Sequence, residues 1–99
     1  MRAMGGERVQ LRNPDRTKAG ANIERDKYDL VREQILALVP KAAPGITWTE
    51  LRDRADARLG RKLKGGDNWW YTTAVKLHLE AVGDLKRSSG SPQRLIRSK

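Results

Sequence analysis

The chain of 99 residues has no cysteine, no phenylalanine and a single histidine. Without cysteine there are no disulfides and no thiolate metal ligands, and with one histidine a zinc site would have to be built largely from carboxylates. No grouping of nucleophile, base and orienting acid stands out, so neither catalysis nor a cofactor is expected. No apolar run approaches the roughly 18 residues of a membrane span, and the first residues lack the apolar centre of a signal peptide. A soluble, cytoplasmic protein is therefore the expectation. Hydrophobic residues make up only 37% of the chain, so the core must be small, resting on Leu, Val, Ile and the three Trp. A chain this short builds one domain of moderate stability.

Positive charge is abundant: the net charge is +9 and the pI is near 10.5. Residues 1–22 carry +3, residues 23–60 are balanced, residues 61–83 carry +2 and residues 84–99 carry +4. The excess thus collects at the start and in the C-terminal third, which implies an anionic partner touching both. The alternative is that the charge serves solubility alone.

Residues 1–22 show neither a helical nor a strand period and are broken by Gly5, Gly6, Pro14 and Gly20. They read as a flexible basic N-terminal arm, with VQLRNP laid against a domain that occupies residues 23–99. Tyr28, Val31, Ile35 and Leu38 recur at three- and four-residue steps and predict a first helix over 24–39, ended by Pro40. In ITWTEL, Thr47 and Glu50 have the spacing of a capping box, with Ile46 and Leu51 as its hydrophobic staple. A second helix over 48–59 follows, with Gly60 as its cap. RKLKGGDN is a basic loop, after which Asp67 or Asn68 caps a third helix that stops at Gly83. On that helix Trp70, Ala74, Leu77 and Ala81, with Tyr71, Val75, Leu79 and Val82, form a wide apolar face. The outward strip is then Trp69, Thr72, Thr73, Lys76 and Glu80. His78 falls between the apolar strips and reads as a partly packed side chain rather than a ligand. DLKR and QRLIR, joined by SSGSP, suit a β-hairpin with an exposed tip.

Three helices followed by a basic hairpin is the order of a winged helix. LEAVGDLKR resembles the end of the recognition helix and the start of the wing in winged helix-turn-helix regulators, including the multiple-antibiotic-resistance type. Leu79, Glu80, Gly83, Leu85 and Arg87 occupy the matching places; Asp84 departs from the apolar residue usual there, at a cost in packing at the base of the wing. Nearly the whole chain is also similar to a family of small, uncharacterised bacterial winged-helix proteins. The residues that carry this are Asn13 and Pro14, Lys27 and Tyr28, Thr47 and Trp48, the run Trp70 to Leu77, and Pro92 to Leu95.

The resemblance implies a mainly α fold with a small β-hairpin, a three-helix core and a C-terminal wing. It also implies binding of double-stranded DNA by a transcriptional regulator or accessory factor, with the third helix in the major groove and the wing on the backbone or minor groove. Carried over by position, Trp69, Thr72, Thr73 and Lys76 face DNA, Arg87, Arg94 and Arg97 lie on the wing, and Arg61, Lys62 and Lys64 approach phosphates from the preceding turn. Thr72, Thr73 and Lys76 can equally be the solvated side of an amphipathic helix. Trp69 can equally be a protein contact, which leaves a protein-docking module as the rival function. With no evident dimer seam, a monomer is expected.

Overall fold

The computed structural model describes residues 7–88 and 92–98. The middle of the SSGSP hairpin tip, residues 89–91, lies outside them. Strand β1 (Arg8–Gln10) pairs antiparallel with β2 (Asn22–Glu24), setting Val9 opposite Ile23. Helix α1 (Arg25–Leu38) follows directly, then the short strand β3 (Ile46–Thr47), α2 (Trp48–Leu59) and α3 (Asn68–Ala81). The chain returns through β4 (Leu85–Arg87) and β5 (Arg94–Arg97), and β5 runs between β3 and β4 in a three-stranded antiparallel sheet. The result is a small, mainly helical α/β fold with three helices and two small antiparallel sheets.

The helix ends follow the local chemistry. Thr47 and Glu50 make the full capping box, each side chain taking a backbone N–H at the start of α2. Asp67 caps α3 by accepting the N–H groups of Trp69 and Trp70 at 2.9 and 3.1 Å. At the other end, Gly83 N–H bonds to Glu80 O and Asp84 N–H to Leu79 O. That is a Schellman motif, and Gly83 takes the positive φ of 89° that it requires. Asp84, the departure from the expected apolar residue, is buried and faces Arg32 of α1 at 3.8 Å, so the charge is matched at the turn between α3 and β4.

Within the expected N-terminal arm, residues 8–22 are paired and packed rather than free. Leu11 and Ile23 are buried in the central cluster with Val31, Ile35, Leu51 and Leu79. Leu11 N–H donates to Ala21 O at 2.8 Å, and Arg12 N–H donates to Nδ1 of His78 on α3 at 2.9 Å. Residues 8–24 therefore form a hairpin that supplies two core residues. Gly20 is essential to its closure, because a Cβ there would lie 2.1 Å from the Leu11 carbonyl oxygen.

The inward side of α3 also differs from the expected one. Thr72, Val75, Lys76 and Leu79 form its buried stripe, at the i, i+3, i+4, i+7 spacing of one helix face. Trp70, expected in the core, is 49% exposed. Leu11 and Ile23 from the hairpin and Leu63 from the α2–α3 loop help fill the centre, and the indole packed against it is that of Trp48.

Candidate nucleic-acid interface

The α2–α3 loop is a run of tight turns. Lys62 N–H bonds to Leu59 O, Lys64 N–H to Arg61 O, and Gly66 N–H to Leu63 O. Leu63 is buried within this run while Arg61, Lys62 and Lys64 are exposed around it. One apolar anchor therefore fixes a loop whose three cations point outward. The Asn68 amide ties both helices to this corner by donating to Asp56 Oδ1 and to Gly60 O, each at 2.9 Å. Arg61, Lys62 and Lys64 make no ion pair with any described residue.

Trp69 stands beside this loop, 50% exposed, with the Arg52 guanidinium 4.2 Å from its ring centroid. Trp70 lines a groove between α3 and the hairpin together with Leu11, Arg12, Thr73 and Leu77. Arg12 and the exposed Arg16 and Lys18 border the adjoining depression and likewise make no ion pair among the described residues. Two basic loops, residues 12–18 and 61–64, thus lie to either side of an exposed Trp pair at the start of α3. The hydroxyl of Thr73 is exposed on the same helix but donates back to Trp69 O at 2.8 Å.

The remaining residues expected on the interface are placed otherwise. Thr72 is 1% exposed, and its hydroxyl has no hydrogen-bond partner among the described residues. Lys76 is 9% exposed, with its ammonium 2.7 Å from Glu80 Oε2 and 5.2 Å from the Trp48 ring centroid. Both were expected outward because they are polar. Thr72 instead lies in the core, and Glu80 with the Trp48 face accommodates the Lys76 charge. On β4, Arg87 pairs with the same Glu80. Arg94 lies 3.9 Å from Glu50, and the Arg97 guanidinium donates to Val39 O at 2.7 Å. Of the cations on β4 and β5, Lys86 is exposed and makes no ion pair among the described residues. The structure therefore brings Arg61, Lys62, Lys64, Trp69 and Thr73 to one surface, holds Arg87, Arg94 and Arg97 in internal contacts, and buries Thr72 and Lys76. Arg12, Arg16 and Lys18 were not singled out by sequence. The +3 charge of residues 1–22 was their only signal.

His78 is half-buried between the hairpin and α1, edge-on to Tyr28 with ring centroids 5.5 Å apart. Burial, and then the Arg12 guanidinium, push its pKa below the ordinary 6.5, with Asp84 opposing and Arg32 reinforcing the shift. The neutral ring is the form that can accept the Arg12 N–H. Among the described residues no group of three or more His, Asp or Glu is placed to hold a metal ion, and no helix is long and apolar enough to cross a membrane.

Residues 8–95 match the family of unknown function DUF6958. The chain belongs to that family. The DUF6958 match begins at Arg8, where β1 begins, and takes in both basic loops and the Trp pair. No curated protein and no solved structure matches the chain.

Proposed function

We propose that this DUF6958 protein is a winged helix that binds double-stranded DNA, as a regulator or accessory factor. Element order α1-β3-α2-α3-β4-β5, with β5 between β3 and β4, suits that fold, β4 and β5 being the wing. The observation that carries the reading is the pair of basic loops, Arg61, Lys62 and Lys64 on one side and Arg12, Arg16 and Lys18 on the other, whose six cations make no ion pair among the described residues and which flank the exposed Trp69 and Trp70 of α3. Phosphate contact from a loop before the third helix fixes such a protein on the duplex, while the wing contributes less here because acids and carbonyls within the fold occupy its arginines. Six phosphate contacts release about as many counterions, so log K should fall with log salt at a slope of about −5. Anisotropy titrations of a labelled duplex across a salt series measure that slope, and a flat response would contradict the reading.

The exposed Trp pair favours a second reading, a protein-docking module that uses the same face. It predicts binding of a protein partner that is insensitive to salt and abolished by Trp69→Ala.

A further inference from the structure

Trp69 and Trp70 sit at consecutive positions on the first turn of α3, and the phosphate contacts proposed above leave both unused. Successive side chains on a helix diverge by about 100°, so one indole overlooks the α2–α3 loop beside Arg61 and Lys64 and the other overlooks the hairpin groove beside Arg12. Their backbone is fixed by the Asp67 cap. Tyr71 braces Trp70 edge-on, with ring centroids 5.0 Å apart at 84°, and Arg52 lies over Trp69. Two large aromatic rings are thus held half in water on a rigid turn.

The surroundings decide what such rings fit. Asp56 and Asp67 keep their charge beside Arg61 and Lys64 in the pocket at Trp69, Arg52 over Trp69 pairs with Asp53, and Arg12 lines the groove at Trp70, which leaves a small positive excess around the rings. A planar ligand bearing negative charge matches both features, and a nucleobase with its phosphate has both properties. A fully paired duplex hides its base faces in the stack and presents edges, which are read by donors and acceptors; an indole offers one donor only.

Resting on the DNA-binding reading, we infer that Trp69 and Trp70 form a stacking platform for unpaired bases. The preferred ligand is then DNA carrying a single-stranded stretch beside a duplex, rather than a blunt duplex. Phosphates of the duplex lie on the basic loops, and the bases of the unpaired stretch lie on the indoles.

Anisotropy titrations with a blunt mixed-sequence duplex and with a duplex of equal phosphate number ending in a short overhang test this. The overhang should bind about tenfold tighter. Combining Trp69→Ala with Trp70→Ala should remove the preference, so that the overhang and the blunt duplex bind with equal affinity. Trp69→Phe with Trp70→Phe, which keeps the rings, should restore most of the preference, a rescue that an indirect effect on folding would not produce. Equal affinity for both probes with a normal salt slope would overturn the stacking platform and leave DNA binding standing. Absence of binding to either probe at low salt would overturn both.

Discussion

Thr72 shows most directly what the inside of this protein tolerates. Its hydroxyl lies in the core without a partner among the described residues, and an unsatisfied buried hydroxyl costs about 1–3 kcal/mol. Thr72→Val keeps the shape and removes the polar atom. It should stabilise the fold by about 1 kcal/mol, read as a higher urea midpoint at unchanged slope. His78 gives the second prediction at this scale. The ring is faced by the Arg12 N–H and guanidinium, by Arg32 and Asp84, and by the edge of Tyr28. Its folded pKa lies below 6.5, so the unfolded chain takes up the proton first as pH falls. Stability from this group is complete above its unfolded pKa and declines as pH drops through the window below 6.5, until the folded ring is itself protonated. Melting temperatures at about pH 7.5 and about pH 5.5 should therefore differ more in the native protein than in His78→Gln, which does not titrate.

At the scale of elements, the helices were legible because their signals are local. The capping box at Thr47 and Glu50, the Asp67 cap and the Gly83 stop are each written within a few residues, and each forms as expected. The hairpin of β1 and β2 was not legible. Its register joins residues 12 to 16 positions apart, and its strands are too short to show a period. The rotation of α3 was missed for a related reason. Sorting its residues by polarity places Lys76 outside, and only the tertiary arrangement of Glu80 and Trp48 makes the inward position tolerable. Leu11→Ala tests the hairpin. If residues 8–24 belong to the core, the substitution should cost about 2–5 kcal/mol in chemical denaturation. A flexible arm would show almost no effect.

For the whole molecule, the charge pattern was legible and its placement was not. Sequence assigned both the N-terminal and the C-terminal excess to an anionic partner, but the fold directs Arg87, Arg94 and Arg97 to Glu80, Glu50 and Val39 O. The N-terminal excess, by contrast, is exposed beside α3 in Arg12, Arg16 and Lys18. The two groups of cations should consequently behave differently. Replacing Arg61, Lys62 and Lys64 together by Ala should lower DNA affinity at least about tenfold and reduce the magnitude of the salt slope by about 3. Replacing Arg87 and Arg94 by Ala should leave the slope nearly unchanged. Equal effects from the two sets would mean that the wing arginines leave their internal partners on binding.

The most direct measurement is a titration of isotope-labelled protein with mixed-sequence duplex DNA, followed by backbone amide NMR shifts at low and moderate salt. The account predicts shifts concentrated at residues 12–18 and 61–64, fading as salt rises, with Thr47, Leu51 and the α1 core positions unmoved. An absence of shifts at low salt would contradict DNA binding. Shifts confined to residues 85–97 would contradict the surface assigned here and return the contact to the wing.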